Sequence, residues 1–163
     1  MTKAQWLALS GADGVGGATL RALLRAFGSI EGIHDADDAS LLAALNEVVR
    51  NPVRASGVLT HLRRSSLASL EAEIAALAQR GIELLTPDDA SYPVRLRDPG
   101  IDPCVLYRRG ELLPEDALAV AVVGTRRPTP DALDSAAHIA AELAARGVTV
   151  VSGLAMGIDT AAH

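Results

Sequence analysis

The chain has few aromatic side chains: one Trp, two Tyr and one Phe among 163 residues. Proteins that hold single-stranded nucleic acid by base stacking use several exposed rings. So small a number of rings does not form a stacking platform. Any nucleic-acid contact within this chain is therefore predicted to go to phosphate groups.

Cysteine is nearly absent, since Cys104 is the single one. This excludes an internal disulfide framework and a cysteine-rich metal site, and it is typical of a reducing cytoplasm. The four histidines are scattered, and the sequence shows neither a Ser-His-Asp arrangement nor paired carboxylates. We therefore expect no metal, no cofactor and no catalytic residue.

The N-terminus has neither the basic region nor the long apolar core of a signal peptide. No apolar run reaches the roughly 18–20 residues of a membrane span. These two features predict a cytoplasmic protein without a membrane partner.

The chain also lacks a surplus of basic residues, with a net charge of −5. Residues 1–80 carry eight basic and eight acidic side chains, whereas residues 81–163 carry seven and twelve. This balance argues against the broad basic face of many nucleic-acid binders. A nucleic-acid site in the second half must be local, and the doublet Arg126-Arg127 is a candidate.

Residues 1–80 have the pattern of a helical domain. Apolar residues recur at helical spacing between glycine and proline signals. The pattern predicts helices over residues 3–9, 18–27 and 40–49, and a long one over 52–80 that bends or splits at Gly57. Gly28 is predicted to cap the end of the second helix, and Asn51-Pro52 to start the last one.

The glycine turn Gly14-Val15-Gly16-Gly17 lies between the first two predicted helices. It resembles the turn of a helix-hairpin-helix (SAM-like) domain, in which backbone amides hold a DNA phosphate. A tight turn that only packs two helices fits the same residues. The turn contains no Lys or Arg, and both interpretations stay open.

Residues 81–163 have the pattern of alternating strands and helices instead of the helical pattern of residues 1–80. Short apolar runs predict strands over 82–85, 104–107, 120–123 and 148–151, with a helix over 130–146 between the last two. A strand, helix and strand of Val and Ala composition are typical of a parallel sheet covered on both faces. The predicted fold class is α/β, with an all-helical domain of residues 1–80 before an incomplete Rossmann-like parallel sheet in residues 81–163.

The loop after the third predicted strand reads Gly124-Thr125-Arg126-Arg127. It occupies the place of a phosphate fingerprint in a dinucleotide fold, but it has neither G-x-G-x-x-G nor G-K-[ST]. Arginine pairs bidentately with phosphate oxygens. The loop is either an anion site or a capped turn with solvated arginines.

A second glycine loop begins at Ser152-Gly153 after the fourth predicted strand, and Asp159 is predicted to cap the helix that follows. Neighbouring parallel strands present their loops at one sheet edge, where such folds bind ligands. We therefore expect Arg126 or Arg127 to lie beside backbone amides of the second loop. His163, in the first turn of the last helix, is either an acid–base group or a packed histidine.

Four motifs in fixed order resemble the DNA-processing protein A (DprA/Smf) family. They are Ser-Tyr-Pro-Val-Arg-Leu at 91–96, Asp-Pro-Cys-Val-Leu-Tyr-Arg-Arg-Gly at 102–110, Val-Val-Gly-Thr-Arg-Arg-Pro-Thr at 122–129, and Val-Ser-Gly-Leu-Ala-Met-Gly-Ile-Asp-Thr-Ala-Ala-His at 151–163. The helical domain with its Gly-Val-Gly turn agrees more loosely. The resemblance covers nearly the whole chain.

The resemblance implies a protein that is not an enzyme. The family binds single-stranded DNA without sequence preference, protects it, and loads the RecA recombinase during natural transformation. Its DNA-binding residues carry over to Gly124, Thr125, Arg126 and Arg127, with Ser152 and Gly153 nearby. The resemblance also implies a homodimer in the full-length protein.

This sequence departs from the family pattern because it stops soon after the Gly-Ile-Asp motif, so we expect a truncated chain that binds DNA weakly by itself. One alternative is a nucleotide-binding Rossmann enzyme such as a nucleotide phosphoribohydrolase, although its Pro-Gly-Gly-x-Gly-Thr loop is missing. Another makes residues 1–80 a protein-interaction module.

Overall fold

The computed structural model describes residues 3–97 and 103–163. The chain divides into two compact units, Met1–Gly110 and Glu111–His163. None of the helices in the described ranges is long and apolar enough to cross a membrane.

The first unit begins with six helices. Their bounds are α1 Lys3–Ser10, α2 Gly17–Phe27, α3 Ile30–Asp35, α4 Asp38–Val49, α5 Pro52–Arg64 and α6 Leu67–Gln79. Side chains cap several of them, as when Asn51 accepts hydrogen bonds from the amides of Val53 and Arg54. Gly28 ends α2 at φ +79°, as the sequence predicted.

The predicted long helix over 52–80 is wrong, because it is two helices. The break falls at Ser65 and Ser66 and not at Gly57. Ser66 accepts a hydrogen bond from the amide of Ser69, so a new helix starts there. The sequence pattern also did not indicate α3, which is short and starts at the Ser29 cap.

The core of the first unit is apolar and lies among these helices. Trp6, Leu23 and Ile33 are at most 2% exposed. Cys104 is buried with them.

Two strands complete this unit. β1 (Ile82–Leu85) pairs antiparallel with β2 (Leu106–Arg109). The first strand was predicted at these residues, whereas the second lies two residues later than predicted. Pro103 and Cys104 precede it, with the Pro103 carbonyl accepting a hydrogen bond from the Tyr92 hydroxyl.

The antiparallel strands are attached to the helices of the first unit. Lys3 Nζ donates to the Leu84 carbonyl over 2.6 Å, and Trp6 Nε1 donates to Asp88 over 2.9 Å. The first compact unit thus extends to Gly110, whereas the sequence predicted a domain boundary at residue 80.

The second unit is a short parallel βαβ arrangement. Its elements are β3 (Ala119–Ala121), α7 (Pro130–Ala145), β4 (Thr149–Val151) and α8 (Ile158–Ala162). β3 and β4 pair in parallel, with Ala121 opposite Val151. The predicted fold class, helices followed by a parallel pair, is confirmed.

Candidate functional site

The two glycine loops start side by side at the carboxyl ends of β3 and β4. The amide of Val122 donates to the Val151 carbonyl over 3.0 Å, which extends the pairing beyond the strands. Ser152 Oγ donates to the Val122 carbonyl over 2.7 Å. The predicted adjacency of the two loops is confirmed, and Ser152 links the first loop to the second.

Asp159 joins the two loops further along. Its carboxylate accepts hydrogen bonds from the Gly124 amide over 3.3 Å and from the Gly153 amide over 3.1 Å. The residue is only 7% exposed, and it lies in the first turn of α8. The two hydrogen bonds satisfy the buried carboxylate and hold the first loop against the second.

Close packing between the loops and the start of α8 requires glycine at two positions. A Cβ at Gly124 would lie 2.7 Å from the Ile158 side chain, and one at Gly157 would lie 2.4 Å from the Thr125 carbonyl oxygen. Gly157 also has φ +92°, which side chains rarely adopt. The Ile158 amide donates to that same carbonyl over 3.2 Å. The loops are thus in direct backbone contact.

Two cations lie on the surface of this arrangement. Arg126 and Arg127 are exposed. Within residues 3–97 and 103–163, neither guanidinium has a hydrogen-bonded or ion-paired partner. Thr125 Oγ1 accepts a hydrogen bond from the Arg127 amide over 3.1 Å and so orders the backbone from Thr125 to Arg127. Both guanidiniums are available for anionic groups.

The predicted cap role of Asp159 is wrong. The N-cap of α8 is Gly157, which makes no side-chain hydrogen bond, and Asp159 lies two residues later. Its carboxylate is directed at the loop amides and not at its own helix. Sequence spacing did not reveal this, because the contact with Gly124 spans 35 positions.

Two other predicted features have contacts of their own. In the glycine turn, Thr19 Oγ1 donates to the Gly14 carbonyl over 3.1 Å, and Asp13 lies 3.8 Å from Arg54. His163 is exposed at the end of α8. Whether either takes part in binding stays a prediction.

A helical unit followed by a parallel βαβ unit, whose glycine loops carry two exposed arginines, defines a protein with a Rossmann-like fold. The family model described as DNA recombination-mediator protein A matches residues 83–163. Through this region the chain belongs to the DprA/Smf family.

Several curated relatives carry the family names. A putative DNA processing protein DprA of Mycobacterium tuberculosis is 42% identical over 56% of this chain and 27% of its own length. DNA processing protein DprA of Bacillus subtilis is 29% identical over 73% of this chain and 40% of its length. Protein Smf of Synechocystis is 40% identical over 52% and 22%. The chain thus spans well under half of each relative.

A solved structure has a similar fold. The X-ray structure of DNA processing protein A from Streptococcus pneumoniae matches with a TM-score of 0.68 and 24% identity. The match covers 100% of this chain and 53% of that one. At this identity the likeness supports the fold and does not transfer a ligand.

Proposed function

We propose that this chain belongs to a protein that binds single-stranded DNA without sequence preference and protects it, and that acts in DNA recombination without being an enzyme. The observation that carries the proposal is the pair of free guanidiniums, Arg126 and Arg127, on the joined glycine loops. The family description as a recombination mediator supports DNA as the ligand.

The DNA-contacting residues in this proposal are Arg126 and Arg127, with Thr125 and Ser152 shaping the loops. The amides of Gly124 and Gly153 already donate to Asp159 and are not offered to DNA. These two glycines therefore contribute by letting the loops pack closely. Guanidiniums bind phosphate oxygens without reading bases, which suits sequence-independent binding.

The alternative of a nucleotide-binding enzyme receives less support from this geometry. Enzymes of that kind hold a phosphate on loop amides after parallel strands. Here two of those amides are bound to a carboxylate of the chain itself. A screen for nucleoside monophosphate turnover by the full-length protein distinguishes the two functions, and turnover would favour the enzyme.

Replacement of both arginines by alanine in the full-length protein tests the proposal. R126A/R127A is expected to weaken binding to oligo-dT, measured by fluorescence anisotropy at several salt concentrations. The slope of log K against log salt should become shallower by about 1.4, since each phosphate contact of a single strand contributes roughly 0.7.

The matched control is R80A/R146A, which removes the same charge from exposed positions that are not part of the loops. Arg80 follows α6, and Arg146 follows α7, where it pairs with Glu142. If the control and the loop variant lose the same affinity, general charge and not the loop site binds the DNA.

The proposal extends to the full-length protein as a cytoplasmic homodimer that loads RecA onto single-stranded DNA during natural transformation. This part depends on the family resemblance. Sedimentation of the full-length protein with and without RecA tests both the homodimer and the RecA complex. A protein that sediments as a monomer and does not bind RecA would contradict them.

A further inference from the structure

Asp159 occupies the position at which joined glycine loops would otherwise present amides to a ligand. Its two carboxylate oxygens are each bound by one loop amide, Oδ1 by that of Gly124 and Oδ2 by that of Gly153. The side chain reaches this place from the first turn of α8 and is buried. The place that suits an anion is therefore filled by the protein's own anion.

We propose that Asp159 is a specificity-determining residue that excludes free phosphate and mononucleotides from the glycine loops. The proposal rests on the proposed function in one respect: the permitted ligand is the DNA backbone. Asp159 leaves phosphate recognition to Arg126 and Arg127.

The physical reason is a combination of occupancy and charge. A phosphate that approached the Gly124 and Gly153 amides would have to displace a carboxylate that is buried and hydrogen-bonded. It would also meet a like charge in a site with little solvent screening. Removal of the carboxylate leaves two N–H donors that lack a partner, which favours entry of another anion.

The selectivity for a polymer follows from what remains. Exposed arginines bind a single phosphate weakly, because solvent screens each contact. A DNA strand offers consecutive phosphates, so that a second contact forms at high effective concentration. The Asp159 carboxylate thus makes the site bind a phosphate polymer in preference to free mononucleotides.

The test uses the chain labelled with ¹⁵N and titrated with inorganic phosphate and, separately, AMP. In the unaltered protein we expect the Gly124 and Gly153 amide resonances to stay unchanged. In D159A we expect both to shift saturably, with phosphate binding about tenfold tighter than in the unaltered protein, as for a gained charge-assisted hydrogen bond.

The matched control is D131N, which removes one negative charge from the first turn of α7 without freeing a loop amide. A gain equal to that of D159A would assign the effect to general charge and overturn the proposal. A folded D159A without gain would also overturn it.

If D159A does not fold, the unaltered protein still decides the question. Saturable shifts of its Gly124 and Gly153 amides with phosphate would mean that the position is open, against the proposal. Unchanged amides would support it. Loss of oligo-dT binding in R126A/R127A is a separate outcome, so that failure of the proposed function and failure of this inference are distinguishable.

Discussion

At the scale of single residues, Gly157 holds the two loops in contact. Its φ is +92°, and a Cβ there would lie 2.4 Å from the Thr125 carbonyl oxygen. G157A is therefore expected to reduce the free energy of unfolding of the second unit by on the order of 1–3 kcal/mol, from strain at positive φ together with the clash. Urea unfolding followed by far-UV circular dichroism measures the loss.

Gly57 provides the contrasting variant. It lies exposed in the interior of α5, and a Cβ at this position meets nothing within 4 Å. G57A should increase stability by roughly 0.4–1 kcal/mol, because alanine restricts the unfolded chain and favours the helix. Equal effects of the two substitutions would show that the contact with Thr125 contributes nothing.

At the scale of elements, Asp116 connects the 3-10 turn Pro114–Ala117 to β4. Its carboxylate accepts from the Leu113 amide over 2.8 Å and from Thr149 Oγ1 over 2.9 Å. These hydrogen bonds, the backbone one first, lower the pKa of Asp116 below its ordinary 3.8. The ionised form is therefore the one that the folded state favours.

The sign of the pH dependence follows from this lowered pKa. The contribution of Asp116 is fully present above its ordinary pKa and is lost as the pH falls through the folded pKa. D116N should therefore flatten the decline of the unfolding free energy between roughly pH 5 and pH 2, measured by urea titrations across that range.

Thr149 supplies the control for this prediction. T149V removes the side-chain hydrogen bond to Asp116 but keeps the backbone one. It should retain the greater part of the pH dependence, because the bond from the Leu113 amide is the larger cause of the lowered pKa. A pH dependence in D116N identical to that of the unaltered chain would contradict the assignment.

The elements themselves were largely predictable from sequence where local signals were strong. Asn51-Pro52 marked the start of α5, and Gly28 marked the end of α2, because caps and left-handed turns depend on neighbouring residues alone. The break at Ser65 and Ser66 was missed, because serine is tolerated inside helices as well as at caps.

The candidate site was predictable only in part. The apolar strands and following glycines indicated that the two loops lie together, and pairing of β3 with β4 confirms it. The role of Asp159 was not predictable, because it depends on a contact with Gly124 across the fold. Periodicity and spacing carry no information about such a pair.

At the scale of the whole molecule, β1 and β2 belong with the helices. Lys3 contacts the Leu84 carbonyl and the Asp89 carboxylate, and Trp6 contacts Asp88. A fragment of residues 1–110 should therefore unfold at higher urea concentration than a fragment of residues 1–80, because the shorter one loses these partners. Far-UV circular dichroism of the two fragments measures the difference.

The first unit of the 163-residue chain is the control for the comparison of the two fragments. The 1–110 fragment should unfold at the same urea concentration as the corresponding unit of the 163-residue chain, since it keeps the compact unit intact. Equal midpoints for the 1–80 and 1–110 fragments would mean that the strands do not stabilise the helices.

The buried indole of Trp6 has a consequence for observing this protein in solution. It is the single Trp of the chain and is 2% exposed, whereas residues 111–163 contain no Trp, Tyr or Phe. Intrinsic fluorescence therefore reports the first unit, and the unit that carries the glycine loops has no aromatic fluorescence of its own. A change in tryptophan emission when DNA is added would reveal an effect of the ligand on the helical unit, and an extrinsic dye is needed to see the loops themselves.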